Sequence, residues 1–236
     1  MRSSPTGASL FEQLRGKLIV SCQAREDNPL HGAGYMAAMA RAAELGGAAA
    51  IRVNAPGDTR AVMTAVNLPV LALYKVDYPD SEVRITPTLA DTQALLTTGA
   101  QMIALDATDR PRPHGELLAD SVSAIHTAGS LAFGDCARPE DLAGAIAAGC
   151  DAIGTTLAGY TEETLSESTE PDFATLAWFV RHSPVPVYAE GRFWTPEQVA
   201  RALDMGAHCV CVGTAITNPW KITEYFIRES ERARQP

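Results

Sequence analysis

The chain has 236 residues, 46% of them hydrophobic and 20% charged, with a formal net charge of −9. That length suits one large domain or two small ones with a sizeable core, and an acidic chain with no obvious basic face speaks against nucleic-acid binding. No apolar run approaches the roughly 18 residues of a membrane span, and the start MRSSPTGASLFEQLRG lacks a signal-peptide core.

Leu10–Arg15 reads as a short N-terminal helix able to plug a barrel floor. From there to the end, apolar β-like runs alternate with stretches rich in Ala and Leu. Lys17–Gln23 is followed by a helix over Ala37–Leu45, Ala49–Val53 by Asp58–Val66, and Val70–Lys75 by Leu89–Thr97. Met102–Asp106 leads to Glu116–Ala128, Ser130–Asp135 to Pro139–Ala148, and Asp151–Thr156 to Phe173–His182. Pro186–Gly191 leads to Pro196–Met205, and Cys209–Gly213 to Pro219–Arg228. Most runs lack strict polar alternation, as expected of parallel strands covered on both faces. Thr88, Arg138-Pro139 and Thr195-Pro196 signal helix starts, while Gly46, Gly99, Gly129, Gly149 and Gly206 signal stops.

Eight such units in a chain of this size predict an α/β fold, a single (β/α)8 TIM barrel over residues 1–236 with its core at about 17–230. A doubly wound open sheet is the alternative. The count of eight, and the absence of GxGxxG after the first run, disfavour it. Cys22, Cys136, Cys150, Cys209 and Cys211 mostly sit inside apolar runs, which fits reduced, buried thiols in a cytoplasmic protein.

Active sites of such barrels form at the C-terminal ends of the strands. The closing residues here are Gln23, Arg52, Lys75, Asp106, Asp135, Thr155-Thr156, Glu190 and Gly213. Nearly all are polar, which describes a polar pocket on one rim. Glu190-Gly191-Arg192 and Gly213-Thr214 supply glycines whose backbone N–H groups can approach an anion, with a helix following the second pair. The loops after the seventh and eighth strands are the usual phosphate cradle of barrels. The plainer reading is that these glycines only turn the chain.

Lys75 and Glu190 form the candidate acid–base pair. A lysine acts as a base only when neutral, so its pKa has to fall. Burial and the cations Arg52 or Arg192 would lower it, and Asp77 or Glu190 would raise it. The alternative is a solvated Lys75 paired with Asp77 or Asp80. None of His31, His114, His126, His182 and His208 closes a strand, so no catalytic metal is expected. Arg110-Pro111-Arg112-Pro113 reads as a loop after the fourth strand that shapes the pocket mouth.

LIVSCQA, AAIRVN, YKVDYPDSEVRITPT, ALDATDRPRP, GCDAIGTTLAGYT, VYAEGRFWTPEQ and VGTAIT together resemble the bacterial N-acetylmannosamine-6-phosphate 2-epimerases of sialic acid catabolism. The resemblance runs from about Leu14 to Tyr225. It implies a barrel with no metal and no cofactor, acting on an N-acyl-hexosamine 6-phosphate, commonly as a homodimer, with no nucleic-acid or membrane partner. It implies that Lys75 transfers the proton and that Glu190 is its carboxylate partner. Gln23, Arg52, Asp135 and Thr155 would contact the sugar, and Gly191, Arg192, Gly213 and Thr214 the phosphate. The chain departs from the family at Asn218, where an arginine is usual, so a neutral group stands at a substrate-side position. Two rival readings are a Schiff-base aldolase using Lys75 and a non-catalytic sugar-phosphate binder.

Overall fold

Short apolar strands pair in parallel in strict chain order and close on themselves. In the computed structural model, which describes residues 7–234, they are β1 (Lys17–Cys22), β2 (Ala50–Asn54), β3 (Val70–Leu73) and β4 (Met102–Asp106). β5 (Leu131–Asp135), β6 (Ala152–Gly154), β7 (Val187–Glu190) and β8 (Cys209–Val212) follow, and β8 pairs with β1 to complete the barrel.

The helices are α1 (Gly7–Leu14), α2 (Ala33–Leu45), α3 (Pro56–Ala65), α4 (Leu89–Leu96) and α5 (Leu118–Thr127). They continue with α6 (Asp141–Ala148), α7 (Phe173–His182), α8 (Pro196–Asp204), the single turn α9 (Thr214–Thr217) and α10 (Pro219–Arg232). Thr88 and Thr195 start α4 and α8 as full capping boxes with Asp91 and Gln198. The expected start at Pro139 moves to Asp141, because the Asp141 carboxylate accepts the Ala137 and Arg138 backbone N–H groups at 2.7 and 3.0 Å. At the end of α2 the left-handed residue is Gly47 rather than Gly46.

The strands separate two cores. Outside, Val20, Ile51, Val53, Ile103 and Val210 pack against the apolar faces of the helices. Inside, Ile19, Leu71, Met102, Phe133 and Tyr188 fill the barrel, and Leu10 and Leu14 of α1 close its floor. The floor-plugging helix expected at Leu10–Arg15 is therefore α1, and Phe11 stacks on Phe133 at 5.8 Å. All five cysteines are buried and unpaired. No described helix is long and apolar enough to cross a membrane.

Candidate active site

Side chains on a strand alternate faces. Arg52, Asp106, Asp135 and Glu190 lie two residues beyond Ala50, Ala104, Phe133 and Tyr188, which line the barrel, so they share the inward parity. Arg52 and Asp135 are 1% and 0% exposed, and they meet across the lumen in a two-pronged ion pair. Nη1 donates to Asp135 Oδ1 at 3.0 Å and Nη2 to Oδ2 at 2.6 Å. The same Nη1 donates to Glu190 Oε2 at 2.7 Å. Thr156 adds its hydroxyl to Asp135 Oδ1 at 2.6 Å, and Tyr188 adds its phenol to that oxygen at 2.5 Å. Arg52 Nε is left buried without a partner. Asp106 has the inward parity but does not join this cluster, because Thr108 and Arg110 of the next loop take its carboxylate.

Lys75 lies beyond β3 on the outgoing arm of a hairpin. The arm bridges Ile85 antiparallel, with Val76 N–H donating to Arg84 O and Thr86 N–H to Tyr74 O. Tyr78 and Ser81 pair across the tip, so YPDS is the turn of this hairpin. Asn54 Oδ1 accepts the Lys75 backbone N–H at 2.8 Å. The buried Arg112 guanidinium holds the return arm by donating to the carbonyls of Thr86, Pro87 and Asp106 at 2.6, 3.0 and 2.6 Å. The arginine-proline loop thus braces the arm opposite Lys75.

Among the described residues the Lys75 ammonium has no carboxylate within ion-pair distance, because Arg84 engages Asp77 and His114 engages Asp80. Lys75 is exposed, as the alternative reading expects, but it pairs with neither aspartate. Water reaches Lys75 at the mouth, yet the surrounding barrel wall desolvates its ammonium and Arg52 repels it. Its pKa falls to about 8, with Arg25 adding to the repulsion and Glu190 and Asp135 opposing. Burial pushes the Glu190 carboxyl above its usual value, opposed chiefly by Arg52. The Arg52 guanidinium is held charged: burial works against it, but Asp135 and Glu190 outweigh burial.

Gln23 donates to Ser21 Oγ at 2.8 Å and leaves its own Oε1 buried and unpartnered. The Thr155 hydroxyl clamps β6 to β7 through the Glu190 carbonyl (2.9 Å) and N–H (3.1 Å), while the neighbouring Thr156 reaches the cluster. Gly191 has φ +110°, a backbone suited to glycine, and Arg192 follows at +60°. The Arg192 guanidinium donates to Gly159 O at 2.8 Å and lies over the Tyr160 ring, so the loop after β6 engages it. Gly213 and the exposed Thr214 open α9, and a Cβ on Gly213 would meet Ser21 Cβ at 3.3 Å. Asn218 caps α10 by accepting Lys221 N–H at 3.3 Å, and Asn28 of the β1–α2 loop donates to it.

Sequence reasoning missed Tyr188 and Arg112 as supports. Tyr188 stands two residues before Glu190 on the same strand, and that period of two is the signal that finds it. No group of three His, Cys, Asp or Glu among the described residues is placed to hold a metal ion. A groove of about 480 Å³ on the outer wall, between α4 and α5 near Gln93 and Asp120, shares no residue with the rim.

The model of the family described as "Putative N-acetylmannosamine-6-phosphate epimerase" matches residues 36–232. A relative from Listeria monocytogenes, given that name with "2-epimerase", is 43% identical over 97% of this chain and 98% of its own length. A Clostridium perfringens relative of the same name is 45% identical over 92% of this chain and 98% of its own. A solved structure of the N-acetylmannosamine-6-phosphate 2-epimerase from Clostridium perfringens superposes with a TM-score of 0.92 at 42% identity, covering 97% of this chain and all of that one. A thiamine phosphate pyrophosphorylase from Pyrococcus furiosus, at TM-score 0.61 and 15% identity, shares the fold alone.

Proposed function

The chain belongs to the N-acetylmannosamine-6-phosphate epimerase family, and from that membership we propose how its rim performs the reaction. The protein is an N-acetylmannosamine-6-phosphate 2-epimerase, an isomerase that inverts C2 of the sugar to give N-acetylglucosamine 6-phosphate. In the closed ring the C2 proton is not acidic. In the open chain C2 lies next to the C1 aldehyde, and its proton can leave to an enolate-like intermediate.

Lys75 takes and returns that proton. The supporting observation is its ammonium: raised on a braced hairpin, free of any carboxylate partner among the described residues, with a pKa lowered to about 8. Such a group exchanges protons near neutral pH, where a catalytic base is most effective. Glu190, whose carboxyl binds protons more readily than usual, assists ring opening. Arg52 holds Glu190 in place and keeps a fixed positive charge beneath the carbon where the oxyanion develops. Gln23 and Asp135 complete the sugar end. The backbone of Gly191, Gly213 and Thr214 takes the 6-phosphate, with Arg192 and Asn218 at its margin, and this remote grip keeps C2 in register with Lys75.

The same reading takes residues 1–236 as one cytoplasmic domain that pairs as a homodimer. Supporting the pairing, α10 has no buried residue and exposes Trp220, Phe226 and Ile227 at 44%, 68% and 54%.

Proton NMR of the protein with N-acetylmannosamine 6-phosphate in D₂O tests the activity. The glucosamine epimer should accumulate with deuterium at C2. No change at high protein concentration, or an epimer that keeps its C2 proton in full, would count against proton transfer through Lys75.

A further inference from the structure

Directly beneath the rim, Tyr188 stands opposite Gly154 in the β6–β7 register. Its ring fills the space over the glycine: a Cβ on Gly154 would lie 2.2 Å from the ring. The ring leans on Phe133 at a centroid distance of 5.3 Å, and Phe133 rests on Phe11 of the floor helix. The phenol at the top of this column is 1% exposed and donates to Asp135 Oδ1 at 2.5 Å.

That oxygen receives three donors, from Tyr188, Thr156 and Arg52 Nη1, while Oδ2 receives Arg52 Nη2. Arg52 Nη1 is shared between Asp135 and Glu190. How strongly Asp135 draws on Nη1 therefore depends on what else satisfies Oδ1, and a charge-assisted bond from a buried phenol is a strong contributor.

On the epimerase reading above, we propose that Tyr188, admitted by the missing side chain of Gly154, is a positioning residue: it satisfies Asp135 from below and so leaves Arg52 Nη1 available to orient Glu190. Tyr188 touches no substrate in this scheme. It acts through Asp135 and Arg52 on the carboxylate that does. Burial, reinforced by Asp135, pushes the phenol well above its ordinary value, so it remains a donor throughout the working range.

The test is Tyr188→Phe, which keeps the ring packing and removes one hydroxyl. Wild type and variant are compared by C2 deuterium incorporation from N-acetylmannosamine 6-phosphate across pH, with thermal melting in parallel. Y188F should lose about tenfold or more in kcat, the scale of one charge-assisted hydrogen bond, with KM within about threefold of wild type. Below the Lys75 step its profile should steepen at a higher pH than in wild type, because Asp135 then draws Arg52 away from Glu190 and the Glu190 proton is held longer. A folded Y188F with wild-type kcat and pH profile overturns the inference. A wild-type protein that forms no epimer removes the epimerase reading and this inference with it, which separates the two failures. Should Y188F not fold, proton NMR of the wild type supplies the second readout. A downfield tyrosine hydroxyl proton that Thr156→Val, by removing a competing donor, shifts further downfield supports the bond to Asp135, and no such resonance overturns it.

Discussion

Arg52 and Glu190 are joined at 2.7 Å beneath the rim, while Lys75 above them has no anion of its own among the described residues. The arrangement assigns the cation that neutralises charge to the interior and leaves the cation that exchanges protons at the mouth. Its consequences can be measured residue by residue.

Lys75→Ala should lower turnover by roughly 10²–10⁴-fold, the usual contribution of an acid–base group. In the wild type, kcat/KM should rise with pH through about 8 as Lys75 loses its proton. A profile flat across that range would remove Lys75 from the base role.

Lys75→Met should also stabilise the fold, in a pH-dependent way. The folded pKa of Lys75, about 8, lies below its ordinary 10.5. Below pH 8 the lysine is charged in both folded and unfolded chains, and folding bears the cost of desolvation and of repulsion from Arg52. That cost fades as pH rises from 8 towards 10.5. Urea midpoints of the variant should exceed wild type at pH 7 and converge with it at high pH. A constant difference would mean that packing, not charge, is responsible.

Arg52→Met leaves Asp135 and Glu190 buried together without their cation. Removing one member of such a set costs about 3–5 kcal/mol. The loss should shrink in acid, where protonation of Glu190, whose carboxyl burial already pushes up, removes one of the two charges, so urea unfolding at pH 5 and pH 8 is the check. Equal losses at both would argue against uncompensated charge.

Asn218→Arg should pull stability and binding in opposite directions. Losing the cap on α10 costs about 1 kcal/mol. A cation beside the proposed phosphate loops should lower KM for the sugar phosphate and leave kcat nearly unchanged. An unchanged KM, with the expected fall in melting temperature, would assign position 218 to helix capping alone.

Thr155 and Thr156 are neighbours with opposite duties. Thr155→Val breaks both hydroxyl contacts to the Glu190 backbone and should cost about 1–3 kcal/mol with modest change in turnover. Thr156→Val removes a donor to Asp135 and should act mainly on kcat. Melting curves and initial rates on the pair decide it.

The barrel was legible because its signals are local and repeated: apolar runs at regular spacing, threonine starts and glycine stops. The rim cluster was legible through one rule, that strand-closing residues converge. The rule named Arg52, Asp135 and Glu190, which do meet. It named Thr155 and Thr156 together, and of the two Thr156 turns its hydroxyl into the cluster while Thr155 turns to the β7 backbone, because successive side chains face opposite ways. It gave no hint of Tyr188, which lies one layer down, nor of the hairpin beyond Leu73. Pairing of Lys75 with Ile85 depends on Arg112 from another loop, and such a contact leaves no periodic trace in either segment.

That hairpin also sets how the chain can vary in length. Surface turns usually absorb insertions without consequence. Here Ser81 Oγ donates to Pro111 O at 2.7 Å, and Asp80 accepts the His114 N–H at 3.1 Å, so the tip is tied to the loop after β4. An extra residue anywhere from Val76 to Arg84 would have to break those ties or shift the register that presents Lys75. Length polymorphism, tolerated at most exposed turns, would here move the reactive nitrogen itself.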